Sequence, residues 1–213
     1  MGVIGSEVDQ EKTCKNDFQT SVDSALQYLR LDGVVAFATD TLYGLGADVF
    51  SQPALERVFF IKGRPEGQPL PVLVSGWDQV EMVAVGVPPK AERLARRFWP
   101  GGLTLILRSL PEVPMLLTGG GGTVAVRMPN HRVPLALAAG LGSPITGTSA
   151  NLSGHADIEN LRSLECKLGD RVDFLVKAGP APQGVASTIV DITSCEPRLL
   201  REGAVPFLRV LET

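Results

Sequence analysis

Seven consecutive residues, Thr39-Asp40-Thr41-Leu42-Tyr43-Gly44-Leu45, bring hydroxyls, a carboxylate and a phenol together behind the apolar run Val34-Val35-Ala36-Phe37-Ala38. Such a run reads as a buried strand, and a polar loop at its end sits where binding sites form on a rigid support. The same residues also fit an ordinary strand-to-loop turn. Further along, Lys62-Gly63-Arg64-Pro65 sets two cations two positions apart. In extended geometry they project to one side and reach one phosphate chain. They equally suit the end of a helix, where positive charge meets the macrodipole.

Two more segments carry polar groups on apolar supports. Arg127 interrupts the apolar strand Thr123-Val124-Ala125-Val126-Arg127-Met128. A guanidinium there is either a surface charge or a planar fork suited to an amino acid's carboxylate. In Thr148-Ser149-Ala150-Asn151-Leu152-Ser153-Gly154, Ser149 and Asn151 occupy alternate positions behind a predicted strand and face one pocket together. A hydroxyl and an amide suit phosphate oxygens, although a Ser-Asn turn or helix cap uses the same residues.

These four segments, in this order, resemble the YrdC-like family of threonylcarbamoyl-AMP synthases, from about Ser21 to about Arg201. The resemblance implies an enzyme that combines ATP, bicarbonate and L-threonine into threonylcarbamoyl-AMP and pyrophosphate. That product feeds the t6A37 modification of tRNA through downstream tRNA threonylcarbamoyltransferase proteins. Such chemistry needs cations against the triphosphate and the departing pyrophosphate, which basic side chains and Mg2+ normally supply. The resemblance makes Lys62, Arg64, Ser149 and Asn151 a catalytic tetrad. It implies ATP contacts for Arg64, Gln68, Thr123, Ser149 and Arg201, and threonine contacts for Thr41, Arg127 and Ser187. Mg2+ accompanies ATP, its protein ligands left open.

The chain departs from the family pattern at three places. Ala38 replaces a proline that usually opens the first motif, Gln68 stands where Asn or Lys is common, and Glu202 takes a usual proline position beside Arg201. The chain also stops soon after Arg201, so the further domain of longer relatives is not expected.

The elements that must position these groups follow from periodicity. Val22, Ala25, Leu26 and Leu29 mark a helix ending near Gly33. Ser51 and Pro53 start a helix that runs to Lys62. Helices are predicted over Trp77–Ala84, Lys90–Phe98, from Pro134, and over Ile158–Leu168. Strands are predicted over Leu70–Val74, Leu103–Leu107, Thr123–Met128, Ile145–Thr148, Asp173–Val176, Thr188–Ile192, Leu199–Leu200 and Phe207–Val210. Consecutive strands favour a twisted mixed β-sheet flanked by helices, an α/β fold with a concave basic cavity. Residues 18–213 are expected to form one domain, behind a polar, flexible arm over residues 1–17.

Composition bounds the function classes. The 213 residues, 44% of them hydrophobic, supply a substantial core, and the formal net charge of −3 argues against a surface coated in basic charge for duplex binding. Cys14, Cys166 and Cys195 lack CxxC spacing, which disfavours a zinc site or disulfide framework. His131 and His155, the only two histidines, exclude a multi-histidine metal centre. No apolar window spans a bilayer and no signal-peptide core precedes the first helix, so a cytoplasmic protein is expected. Gly119–Gly122 lacks the Lys-Ser/Thr of a Walker loop, and Arg93, Arg96 and Arg97 read as a solvated helix face. The alternatives are an RNA-binding module of the same fold, with weak electrostatic affinity at most, and a relative acting on another adenylate.

Overall fold

The computed structural model describes residues 4–65 and 67–213, with side chains from Asp17 onward except Glu66. Helix α1 (Ile4–Leu29) buries Val22, Ala25, Leu26 and Leu29, the face read from the sequence. It also takes in most of the stretch expected to be a flexible arm, whose residues 1–3 lie outside the described residues.

Strand β1 (Val35–Ala38) is buried along its whole length. Alternation turns Val35 and Phe37 into a core shared with α1, while Ala36 and Ala38 enter a second core with Leu55, Leu103 and Val126. Burial on both faces is why the run is continuously apolar. The chain then turns through residues 39–42 into β2 (Tyr43–Gly46), antiparallel to β1. The polar segment is therefore a hairpin turn plus a strand. Thr39 makes the turn: Oγ1 donates to the Leu42 carbonyl at 2.7 Å and accepts the N–H groups of Thr41 and Leu42 at 3.1 and 3.2 Å.

Helix α2 (Gln52–Lys62) starts where Ser51 Oγ accepts the Ala54 N–H at 3.2 Å, with Pro53 in its first turn. It stops at Gly63, whose φ of 55° is left-handed. Strand β3 (Val72–Leu73), helices α3 (Trp77–Glu81) and α4 (Pro89–Phe98) and strand β4 (Leu103–Arg108) follow. A short helix, α5 (Met115–Thr118), which the sequence pattern did not reveal, leads through the Gly119–Gly122 turn into β5 (Thr123–Arg127). Then come α6 (Arg132–Leu141), β6 (Ile145–Thr146), β7 (Thr148–Ser149), α7 (Leu161–Leu168), β8 (Phe174–Leu175), β9 (Thr188–Asp191) and β10 (Arg198–Arg201).

The expected mixed sheet is two mixed sheets, ordered β7-β2-β1-β8 and β10-β9-β4-β5-β3-β6. Gly147 divides what the sequence presents as one strand: β6 pairs with β3 in the larger sheet, β7 with β2 in the smaller. A β-carbon at Gly147 would lie 2.7 Å from Cδ2 of Leu73, so the chain crosses between sheets where only glycine fits.

One element differs in type. Phe207–Val210, expected as a strand, belongs to helix α8 (Phe207–Leu211). Three apolar residues in four positions, Phe207, Leu208 and Val210, satisfy either period. Here Pro206 precedes the first turn, and the Glu202 carboxylate accepts the Phe207 N–H at 2.9 Å.

Candidate active site

Residues from both sheets line a cavity of about 360 Å³. One wall is a face of the larger sheet, where alternation on neighbouring strands brings Thr104 and Ile106, Ala125 and Arg127, and Ile189 to the same side. The opposing wall is the Thr39–Gly44 hairpin with Thr148 and Ser149 of β7. Arg64, Arg201 and Asp157 complete the rim. Of the residues singled out in the sequence, the cavity thus gathers Thr41, Arg64, Arg127, Ser149, Ser187 and Arg201.

Arg64 leaves the left-handed Gly63 and turns over the cavity, with Nη2 donating to the Pro69 carbonyl at 2.9 Å. Its Nε is buried with no hydrogen-bond partner among the described residues. A buried guanidinium nitrogen without an acceptor is costly, and it is a donor ready for an anionic ligand. Burial also lowers the Arg64 pKa, although a guanidinium stays charged at any physiological pH.

Arg127 is 5% exposed. Its Nε donates to the Gly101 carbonyl at 2.9 Å, Nη1 to Thr41 Oγ1 at 2.7 Å, and Nη2 to the Asp40 carboxylate. With five N–H bonds in a guanidinium, two remain for a ligand. Burial lowers its pKa and the Asp40 charge opposes that shift. Arg201 wraps Ser187: Nε and Nη2 donate to its carbonyl at 3.0 and 2.8 Å, and Nη2 reaches its Oγ at 3.1 Å. Ser187 Oγ in turn bonds Thr104 Oγ1 at 2.8 Å. Glu202 is engaged at the start of α8, so its carboxylate is spent on Phe207 beside Arg201.

Lys62 stands behind the cavity and outside its lining. The side chain is buried and Nζ donates to the Ser149 carbonyl and, at 2.7 Å, to the Asn151 carbonyl. The Ser153 N–H returns a bond to the Lys62 carbonyl at 2.9 Å. Asn151 also lies off the lining, with Oδ1 accepting from Ser149 Oγ at 2.5 Å. The tetrad thus divides into two groups at the cavity, Arg64 and Ser149, and two that shape the loop beside it, Lys62 and Asn151. Gln68 is exposed and Thr123 lies at the far end of β5 from Arg127; neither lines the cavity.

Burial, with the nearby Arg64 charge, pulls the Lys62 pKa down to about 8, against an opposing pull from Asp157. The folded protein therefore releases this proton more readily than the unfolded chain does, so unfolding takes up a proton between about pH 8 and the ordinary lysine value. Stability supplied by this site grows as pH rises through that window. A neutral amine keeps two N–H bonds, enough for both carbonyls. In denaturant titrations, wild type is expected to gain on Lys62→Met between about pH 7 and pH 10. A pH-independent difference between the two proteins would contradict the depressed pKa.

Several residues here escaped the sequence reading. Thr104 was legible, since alternation in Leu103-Thr104-Leu105-Ile106-Leu107 turns Thr104 and Ile106 away from the three core leucines. Asp40 was visible within its motif, but nothing local named Arg127 as its partner. Asp157, the one carboxylate on the cavity lining among the described residues, carried no signal.

The cavity between the two sheets, lined by three arginines and several hydroxyls, offers hydrogen-bond donors suited to an anionic ligand. The Sua5_yciO_yrdC family model, described as telomere recombination, matches residues 27–203. This chain belongs to the Sua5/YciO/YrdC family. It is 40% identical over 182 residues to a threonylcarbamoyl-AMP synthase of Pyrococcus abyssi, covering 85% of this chain and 54% of that one. It is 39% identical over 189 residues to a putative threonylcarbamoyl-AMP synthase of Mycobacterium tuberculosis, covering 89% and 87%. The chain thus spans about half of the archaeal relative and most of the mycobacterial one. The crystal structure of P. abyssi Sua5 complexed with L-threonine superimposes with a TM-score of 0.86 at 38% identity, over 90% of this chain and 56% of that one.

Proposed function

We propose that this protein is an L-threonylcarbamoyl-AMP synthase, a nucleotidyltransferase that forms threonylcarbamoyl-AMP and pyrophosphate from L-threonine, bicarbonate and Mg-ATP. The observation that carries the reading is the convergence of Thr41, Arg64, Arg127, Ser149, Ser187 and Arg201 on one cavity, from segments spread along the chain. The threonylcarbamoyl-AMP synthases among its relatives and the threonine complex of P. abyssi Sua5 support the choice of substrate.

In this reading Arg127, with Thr41 and Ser187, holds the amino acid at the sheet face. Arg64, Ser149 and Arg201 hold the phosphates at the rim. The threonine amine adds to bicarbonate-derived carbon dioxide and loses a proton, giving a carbamate. A carbamate oxygen attacks the α-phosphorus while the bond to pyrophosphate breaks. The protein contributes alignment and fixed positive charge, and forms no covalent bond to substrate. Among the described residues no cluster of three or more His, Cys, Asp or Glu could hold a metal ion. In this reading Mg2+ arrives on the phosphates of ATP as part of the substrate. Among the described residues no helix is long and apolar enough to cross a membrane. A cytoplasmic enzyme whose product passes to tRNA threonylcarbamoyltransferase proteins completes the proposal.

Pyrophosphate release across a panel of amino acids, with and without bicarbonate, tests it. Release is expected only with threonine, bicarbonate and Mg2+ together. Serine should be the weaker substrate, because one lost methyl removes roughly 1 kcal/mol of binding. Equal turnover with unrelated amino acids, or none with threonine, would overturn the assignment.

A further inference from the structure

Three arginines line the cavity, and their charges are handled differently. Among the described residues, Arg64 and Arg201 hydrogen-bond only to carbonyl and hydroxyl oxygens. Arg127 alone among them bonds a carboxylate among the described residues, that of Asp40. The pair is deep: the side chains of Arg127 and Asp40 are 7% and 11% exposed. Asp40 is absent from the cavity lining, so its carboxylate acts from behind the guanidinium. Its place in the hairpin is fixed from outside as well, because the Asp40 and Thr41 carbonyls accept the N–H groups of Gln183 and Gly184 at 3.3 and 2.9 Å.

The other two partners of Arg127, Thr41 and Gly101, are neutral. They restrict the plane of the guanidinium without offsetting its charge. Asp40 does both. Without its carboxylate partner the Arg127 guanidinium would face the cavity with its charge uncompensated and two N–H bonds open to ligand, at the end away from the Asp157 carboxylate that acts on Arg201. Nucleotide phosphates would then compete with the amino acid for it, since phosphate and carboxylate fit the same fork.

We propose that Asp40 is a positioning residue that reserves Arg127 for the amino-acid substrate. It locks the guanidinium in one plane, and it cancels the charge that would otherwise draw phosphate to the amino-acid end of the cavity. The proposal rests on the reading above in which Arg127 holds the amino acid and Arg64 and Arg201 hold the nucleotide. The separation of the two substrates thus follows from the carboxylate that Asp40 sets behind Arg127.

Calorimetric titration of L-threonine and of a non-hydrolysable ATP analogue into wild type, Asp40→Asn, Asp40→Glu, Arg127→Lys and the Asp40→Asn/Arg127→Lys double variant tests this. Asparagine keeps an acceptor at nearly the same place and removes only the charge. In Asp40→Asn, threonine affinity is expected to fall a few-fold, because a neutral acceptor holds the guanidinium plane less firmly than the carboxylate does. Affinity for the ATP analogue should be unchanged or tighter, and pyrophosphate should now displace threonine. In the Arg127→Lys background, Asp40→Asn should add little further loss, because the two residues act as one unit. Asp40→Glu, which keeps the charge, should recover part of the threonine affinity and abolish the competition by pyrophosphate. Threonine binding to Asp40→Asn at wild-type strength, or fully additive losses in the double variant, would overturn the positioning role. Loss of both ligands in Asp40→Asn and Asp40→Glu alike would assign Asp40 to folding instead. Failure of the wild type itself to bind threonine would overturn the functional reading, a result distinguishable from all of these.

Discussion

Arg64→Ala is expected to reduce ATP-dependent pyrophosphate release by about a hundredfold to a thousandfold, the scale seen when one preorganised donor to a developing charge is removed. The Nε of Arg64 is a buried donor with no acceptor among the described residues, so it is a group whose hydrogen bond a ligand can complete. Among the described residues, the one hydrogen bond made by its other nitrogens is to the Pro69 carbonyl. Little folding stability depends on that one bond, and truncation removes an unsatisfied polar atom with it. Thermal midpoints of the two proteins should therefore lie within a few degrees of each other, while activity collapses. If Arg64→Ala melts far earlier yet keeps its activity per folded molecule, Arg64 is a structural helix-end residue and the phosphate site lies elsewhere.

Arg127→Lys should weaken threonine binding about tenfold to a hundredfold, with a much smaller effect on ATP. Lysine keeps the charge and can still pair with Asp40. An ammonium cannot also span the Gly101 carbonyl and Thr41 Oγ1 in one plane, as Nε and Nη1 of the guanidinium do at 2.9 and 2.7 Å. The N–H bonds left for a carboxylate then lose their direction. Because Arg127 is deeply buried, some loss of stability is expected too, and so the diagnostic quantity is the ratio of the two ligand affinities. Calorimetry on each ligand without turnover measures it. Unchanged threonine affinity in the lysine variant would place Arg127 outside the amino-acid subsite.

Much of this site was legible in the sequence because its parts sit on short, strongly patterned segments. The continuous burial of Val35–Ala38, the Ser51 cap and the end of α2 after Lys62 each depend on residues within one turn or strand, where local chemistry decides conformation. The failures share a physical cause. Phe207–Val210 is too short for its apolar pattern to separate strand from helix, and the Glu202 and Pro206 contacts at its start decided the matter. The strand at Tyr43–Gly46 was hidden because its glycines and tyrosine read as turn residues, whereas pairing on both sides, to β1 and β7, holds it extended. The two pairings that organise the cavity are long-range: Arg127 with Asp40 across 87 positions, and Lys62 with the Ser149 carbonyl also across 87. No periodicity announces such partners. They exist only once the sheets have packed, and they place the Lys62 ammonium on the carbonyls of Ser149 and Asn151 in the neighbouring loop.

Carbon-13 bicarbonate tests the central claim most directly. The protein would be incubated with L-threonine, Mg-ATP and labelled bicarbonate, and the nucleotide products resolved at once by mass spectrometry. The expected product is an adenylate that contains threonine and is heavier by a single carbon-13, formed together with pyrophosphate and abolished in Arg64→Ala. An unlabelled threonine adenylate, or AMP and pyrophosphate formed with no labelled conjugate, would contradict the account.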